Sequence, residues 1–227
     1  MCRFLMVRSQ KKIKPQELLR QFAAMCKVSR APDDDWQGDG WGIALRLRSG
    51  QAIKSQNWQI YKSLKPIWEE QDKFGQFEET DVFVAHARSA GFPQHKGNII
   101  YNQPYIDGSL CFVFNGLIRG VTVQRKLKGE IGAQKIFSLI LQELDGSKPD
   151  EVLKTVDKLI VANSKKITGL NIGLVQNNRF YALCRYDGNK EYFSLHFVKD
   201  GGVTLLCSEP IGKYKWKTMQ KGEILVL

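Results

Sequence analysis

The sequence predicts an α+β fold in which antiparallel sheets are layered and covered by helices. Many short apolar or alternating runs predict strands, whereas helical periodicity occurs in only three places. The strand runs precede and follow the helical block instead of alternating with it, which is typical of α+β architectures. Because no internal repeat, low-complexity segment or linker interrupts the chain, we predict one domain over residues 1–227.

Three apolar stripes predict amphipathic helices that each bury one face. The stripes lie between residues 18 and 26, 136 and 144, and 152 and 160. The segment DGSKPD separates the last two, because its Gly, Ser and Pro favour a stop followed by a restart. We expect Asp150 to cap the third helix.

Nine segments predict strands because they are short and either apolar or alternating. Two junctions between them, QNNR after Val175 and DGNK after Tyr186, predict hairpin turns. The strand segments are residues 2–8, 41–47, 81–87, 110–115, 169–176, 179–185, 191–198, 203–207 and 223–227.

The composition argues against several kinds of site. The five cysteines are scattered and never spaced C-x-x-C, so we expect no disulfide framework, no zinc site and a reducing compartment. The three histidines form no H-E-x-x-H pair and no phosphate-loop motif occurs, so we expect no metal and no cofactor. With no signal peptide and no run near the roughly 18 apolar residues that span a bilayer, we expect a cytoplasmic protein without membrane contact.

The net charge of +11 keeps an acidic partner or a nucleic acid in view. The basic segment KYKWKTMQK alternates Lys213, Lys215 and Lys217 with Tyr214 and Trp216. In a strand, this alternation would place ammonium groups on one face and rings on the other. The segment fits a solvated edge strand whose lysines discourage edge pairing, or a surface for nucleic acid.

Cys2 is the candidate nucleophile. Removal of Met1 would leave a thiol and a free α-amine on one residue, and the amine (pKa about 7.7–8.0) could accept the thiol proton (pKa about 8.5). The resulting thiolate is the reactive form of cysteine. Alternatively, Cys2 is a small buried hydrophobe at the start of an edge strand.

Three further motifs carry polar or flexible residues at strand ends. In FNG, Asn115 and the backbone N–H of Gly116 could form an oxyanion hole, or the pair could be an ordinary turn. In HAR, Arg88 could clamp a substrate carboxylate or join a structural ion pair. The DGWG segment around Trp41 predicts a tight turn that leads into a strand.

Together, MCR at the N-terminus, DGWGI, a strand ending in His-x-Arg, NQPY and a strand ending in Asn-Gly resemble the class II glutamine amidotransferase domain, a branch of the N-terminal nucleophile hydrolases. The resemblance runs in order over about the whole chain and implies a four-layer αββα sandwich. It implies that Cys2 is the nucleophile and its α-amine the base, with an oxyanion hole at Asn115 and Gly116. Arg88, with Ser89 and Gly116, would bind the glutamyl group, whereas His86 is expected to be structural.

The sequence departs from the family at two substrate-contact positions. Gly91 stands where glutamine-dependent members have a threonine, and Gly132 stands where they have the aspartate that pairs with the substrate ammonium. An unpaired ammonium costs of order 1–3 kcal/mol. Three explanations stay open: Glu130 substitutes for the aspartate, the alignment is displaced, or the substrate is not free glutamine.

The resemblance implies a glutaminase that forms a γ-glutamyl thioester and releases ammonia. Because one amidase fold fills the chain, we expect a separate synthetase or transferase subunit to accept the ammonia, including one that modifies a nucleic acid. A free-standing hydrolase of a γ-glutamyl amide is the other form of this hypothesis. The alternative is a non-catalytic subunit or regulator of a larger enzyme.

Overall fold

The strands and helices follow the predicted α+β pattern over residues 1–47 and 58–227, the part of the chain that this computed structural model describes. All three predicted helices and most predicted strands are present. In chain order the elements are β1 (Arg3–Ile13), α1 (Gln16–Val28), β2 (Trp41–Arg46), β3 (Trp58–Ser63), β4 (Thr80–Ala87), β5 (Tyr105–Asp107), β6 (Leu110–Arg119), α2 (Gly132–Glu143), α3 (Pro149–Ala162), β7 (Lys166–Gln176), β8 (Arg179–Cys184), α4 (Lys190–Phe193), β9 (His196–Asp200), β10 (Val203–Cys207), β11 (Lys217–Thr218) and β12 (Glu223–Val226).

The strands form two antiparallel sheets. The first has seven strands in the order β11-β9-β10-β1-β4-β2-β3, and the second has five in the order β12-β8-β7-β6-β5. Strand β1 therefore lies inside its sheet, between β10 and β4, and the expectation that Cys2 begins an edge strand is wrong. The centre of a sheet holds its residues more firmly than an edge, because both sides are hydrogen bonded.

The two sheets pack face to face between layers of helix. Helix α1 covers the outer face of the seven-stranded sheet, where Leu19 and Phe22 join its core. Helices α2 and α3 cover the outer face of the five-stranded sheet. A third cluster, which includes Phe4, Met6 and Val113, fills the space between the sheets. The four-layer αββα sandwich is confirmed.

The segment 191–198 and the turn before it differ from the prediction. Asn189 takes a left-handed φ of 47°, and residues 190–193 then form the short helix α4 before β9 begins at His196. The short helix buries Tyr192 and Phe193, so these side chains leave the solvent without forming a strand. The predicted hairpin at DGNK is therefore wrong, whereas QNNR joins β7 to β8 with positive φ at Asn177 and Asn178.

The start of α3 differs from the prediction. Helix α3 begins after Lys148 with Pro149 in its first turn and no side-chain cap, so Asp150 does not cap it. Among the described residues, no helix is long and apolar enough to cross a membrane.

The basic segment lies at a sheet edge, but most of it is not a strand. Only Lys217 and Thr218 pair, as β11 against β9, because the indole of Trp216 donates to the Ile211 carbonyl at 3.0 Å and holds the preceding residues in a local turn. The three lysines are exposed. Tyr214 and Trp216 pack against the core beneath α1, so the rings are structural.

Candidate active site

Cys2 lies immediately before β1, beside the end of β4. Because Arg3 pairs with Ala87, the register brings Cys2 next to Ser89. The Ser89 N–H donates to Cys2 Sγ at 3.4 Å, and the thiol lies 3.5 Å from the Ser89 carbonyl oxygen. Burial raises the pKa of the Cys2 thiol, so the thiol stays protonated near neutral pH while Met1 is present.

The backbone of Met1 is held by a polar cradle. Its α-ammonium contacts the Asp35 carboxylate, which also accepts from the Ser89 hydroxyl. Its carbonyl accepts from Gln37 Nε2 at 2.8 Å and from Tyr192 Oη at 3.0 Å. Burial alone would raise the pKa of Asp35, but the hydrogen bonds from the α-ammonium and Ser89 outweigh it, and the pKa is lowered. The cradle therefore fixes the chain directly before the candidate nucleophile.

Arg3 anchors the other side of Cys2 and was missed by the sequence reasoning. The side chain is fully buried, and its guanidinium lies 3.6 Å over the ring of Tyr192. It donates to the Ser29 hydroxyl at 2.9 Å and to the Tyr192 carbonyl at 2.8 Å, and it forms an ion pair with Glu209. A charged residue inside an otherwise apolar strand was the available signal, because a buried charge requires partners.

Arg88 follows β4 and is almost completely buried, at 3% exposure. It donates to the His95 carbonyl at 2.5 Å and lies 3.5 Å from Asn102 Oδ1. None of the ion pairs found in residues 1–47 and 58–227 includes Arg88. Its charge is therefore available to a carboxylate from outside the chain.

Asn115 and Gly116 occupy β6, not a turn. Alternation along β6 turns Asn115 toward the space between the sheets, as it does Val113. Asn115 is fully buried, and neither of its amide atoms has a partner among the described residues. Such a group is rare in a folded protein and calls for an explanation.

Gly116 has a packing requirement of its own. A Cβ at this position would lie 2.0 Å from the Gly169 carbonyl oxygen on β7, so no side chain fits. The glycine is therefore needed for the close approach of β6 and β7, whatever its backbone N–H does.

The NQPY motif connects Arg88 to the Asn-Gly strand. Asn102 contacts the Arg88 guanidinium, and the Gln103 side chain pairs with the backbone of Phe114, accepting from its N–H at 2.6 Å and donating to its carbonyl at 3.2 Å. The sequence reasoning assigned these two residues no role. Their amide side chains, adjacent in sequence and in a loop, were the signal.

The DGWG segment supports the backbone of residues 88–90. The Arg88 N–H donates to the Gly40 carbonyl at 2.8 Å, and the Ala90 N–H donates to Asp39 Oδ2 at 2.8 Å. His86 lies nearby with its Nε2 3.2 Å from the Phe114 carbonyl. Burial lowers the pKa of His86 to about 3, so its ring is neutral. Its structural role stays a prediction.

One cavity of about 380 Å³ brings most of the predicted residues together. Cys2, Arg88, Ser89 and Gly116 line it, whereas Asn115 lies behind its wall. A shallower depression of about 520 Å³ around Arg8 contains none of these residues. The cavity at Cys2 is therefore the candidate active site.

The two departures from the family both lie on this cavity. Gly91 and Gly132 line it, and a Cβ at either position would meet nothing within 4 Å. Glu130, the suggested substitute for an aspartate, accepts instead from the Tyr101 hydroxyl at the cavity edge. The space for larger side chains exists, so packing does not explain the two glycines.

Comparison with known proteins gives a structural match without a sequence match. No family model and no curated protein matches the chain. A glutamine aminotransferase class-II domain protein from Silicibacter pomeroyi superimposes with a TM-score of 0.66 at 16% identity, covering 99% of this chain and 94% of that one. A predicted glutamine amidotransferase from Pseudomonas aeruginosa gives 0.59 at 13% identity, covering 99% and 96%.

The glutamine phosphoribosylpyrophosphate amidotransferase of B. subtilis, whose structure holds ADP and GMP, gives a TM-score of 0.68 at 13% identity. It covers 99% of this chain, which spans about half of that enzyme, 47%. Likeness at such identities concerns the backbone and not the substrate. The chain therefore has the fold of the class II glutamine amidotransferase domain.

Proposed function

We propose that the chain is a cysteine-dependent amidohydrolase of the class II glutamine amidotransferase type. Cys2 is its nucleophile, and the substrate is glutamine or a related γ-glutamyl amide. The observation that carries the proposal is one cavity lined by Cys2, Gly116 and Arg88, and Arg88 has no acidic partner in the described part of the chain. Asn115 is buried beside Gly116 in β6, neither of its amide atoms has a partner in residues 1–47 and 58–227, and this supports the same chemistry.

The reaction requires removal of Met1. The new α-amine of Cys2 takes the proton from Sγ, and the thiolate attacks the carbonyl carbon of the amide. The negative oxygen receives hydrogen bonds from Asn115 Nδ2 and the Gly116 N–H. The C–N bond breaks, the amine returns its proton to the leaving nitrogen, and ammonia departs from a thioester. Water then cleaves the thioester to the carboxylic acid and restores the thiol.

The cradle around Met1 is suited to receive the new amine. Gln37 and Tyr192 now hold the Met1 carbonyl, and Gln37 Oε1 is buried without a partner. With Met1 gone, a rotated Gln37 amide can accept from the α-amine through this oxygen. We assign Gln37 and Tyr192 as positioning residues of the base.

Ammonia is passed to a separate synthetase or transferase subunit in this proposal. The exposed lysines of the basic segment offer a surface to an acidic partner. A non-catalytic subunit is the competing function, and it is favoured by Gly91 and Gly132, which stand at two expected substrate-contact positions and line the cavity.

The test uses chain that is produced with methionine aminopeptidase and shown by intact mass to begin at Cys2. It is treated with a diazoketone analogue of glutamine and, separately, mixed with amides and quenched in acid. We expect one adduct on Cys2 and an acyl-enzyme whose added mass equals the substrate minus ammonia. A processed chain that releases no ammonia from any amide, with neither adduct nor acyl-enzyme, contradicts the proposal and supports the non-catalytic subunit.

A further inference from the structure

A large part of the cavity lining is apolar. Leu117 and Ile118 at the end of β6, Val123 and Leu127 in the following loop, and Ile131 and Ile136 at α2 face it. Several of these side chains are only partly buried. Val121 and Phe92 also line the cavity, and they are 42% and 46% exposed. Apolar surface that is left in contact with water inside a concave site usually contacts a ligand.

The charged side chains that line the cavity are positive, and the carboxylates of Asp35 and Glu130 contact lining residues without lining it themselves. Arg88 and Lys135 line it, and no Asp or Glu is found among the described residues of its wall. Gly132 begins α2, so the partly positive N-terminus of that helix adds to the same sign. Among the described lining residues a free α-ammonium would find cations and neutral groups but no carboxylate, whereas an α-carboxylate would meet Arg88.

The volume is large enough for more than one small group. A cavity of about 150 Å³ holds benzene in an engineered protein. The cavity of about 380 Å³ therefore has room for an amide head beside Cys2 and an aliphatic group against the apolar wall.

We propose that the substrate is an N-acylated glutamine, whose free α-carboxylate binds Arg88 and whose apolar acyl chain lies between β6 and α2. This inference rests on the proposed function and names its substrate class. Acylation removes the ammonium charge that the cavity does not match and adds the chain that its apolar wall accepts. The bond that Cys2 cleaves is the side-chain amide, so the products are N-acylglutamate and ammonia.

The experiment measures ammonia release by the chain processed to Cys2. L-glutamine, N-acetyl-L-glutamine and N-octanoyl-L-glutamine are compared by their kcat/KM values. We expect N-octanoyl-L-glutamine to exceed L-glutamine by at least tenfold, with N-acetyl-L-glutamine between them. If the kcat/KM of L-glutamine equals that of both acylated forms, the inference is overturned and the proposed function stays intact. If none of the three amides forms an acyl-enzyme, both the inference and the proposed function are overturned.

Two variants separate the roles of the cavity edge. Gly132→Asp adds a carboxylate where there is open space, and we expect it to raise the use of L-glutamine and lower that of N-octanoyl-L-glutamine, each by about tenfold. Glu130→Gln should leave the ratio unchanged. A large loss of L-glutamine turnover in Glu130→Gln would show that Glu130 receives an ammonium, and it would overturn the inference. Val161→Ser changes an exposed apolar residue outside the cavity, and as a control it should leave the kcat/KM values of all three amides unchanged.

Discussion

Around Cys2 the cavity wall is polar, and distant parts of the chain contribute to it. The apolar part of the wall comes mainly from residues 117–139. Next to Cys2, the Arg3 guanidinium donates to the carbonyl of Tyr192, a residue far along the chain. On the apolar side, one strand end, one loop and one helix supply the surface. Under the proposed function, the polar part of the wall would fix the chemistry, while the apolar part could change the substrate without disturbing that chemistry.

Among the variants of the polar wall, Cys2→Ala should have the largest effect on activity. Without the thiol no thioester can form, so we expect ammonia release to fall by at least about 10³-fold. The same assay on Cys184→Ala, which truncates a buried cysteine of β8, should show no comparable loss. Equal activity in both variants would remove Cys2 from the mechanism.

Asn115→Ala should lower kcat by about 10²–10³-fold, because one oxyanion donor is lost. Its melting temperature should change little, since its amide has no protein partner to lose. Asn171 is the matched control: it faces Asn115 across β6 and β7, and its amide donates to the Phe193 carbonyl at 2.6 Å. Asn171→Ala should lower the melting temperature more than kcat, and the reverse pattern would contradict the assignment.

The pH dependence of Cys2 alkylation should differ between the two forms of the N-terminus. With Met1 present, burial raises the thiol pKa, so the thiolate fraction and the alkylation rate should rise about tenfold per pH unit from pH 7 to 9. With Met1 removed, the α-amine (pKa about 7.7–8.0) acts as the base, and the rate should level off near pH 8. Identical profiles would mean that the amine does not serve Cys2.

Arg88→Gln should raise KM by about 10- to 100-fold with a smaller change in kcat, because the carboxylate partner of a bound substrate is lost. Thermal unfolding checks the fold, since Arg88 also holds the His95 carbonyl. Arg125→Gln, which removes an ion pair with Glu143 outside the cavity wall, should leave KM unchanged. A pure kcat effect in Arg88→Gln would place the residue in the chemistry and not in binding.

The smallest expected effect is on the apolar wall. Ile131→Ser should lower kcat/KM for N-octanoyl-L-glutamine about fivefold and leave N-acetyl-L-glutamine unaffected, because it removes apolar contact. Ile131 occupies the N-cap of α2, where serine is favoured, so the fold should lose no stability. Equal losses for both substrates would argue that the wall does not contact the acyl chain.

The parts predicted from the sequence depend on local patterns. Periodicity predicted α1, α2 and α3, and the motifs that resemble the class II glutamine amidotransferase domain singled out Cys2, Arg88 and Gly116, which line one cavity. The cradle of Met1 could not be predicted, because Gln37 and Tyr192 meet only through tertiary folding. The segment 190–193 has apolar residues that suit a strand equally well, and its burial against Arg3 decided for helix.

Strand β1 pairs with β10, and its Arg3 is enclosed by Tyr192 and Glu209. During synthesis these partners emerge only when most of the chain has been made. At about 5–20 residues per second, the N-terminus would stay uncovered for roughly 10–40 s. Under the proposed function, trimming of Met1 is therefore expected at the ribosome-bound stage, and a chain that finishes folding untrimmed would keep Cys2 blocked.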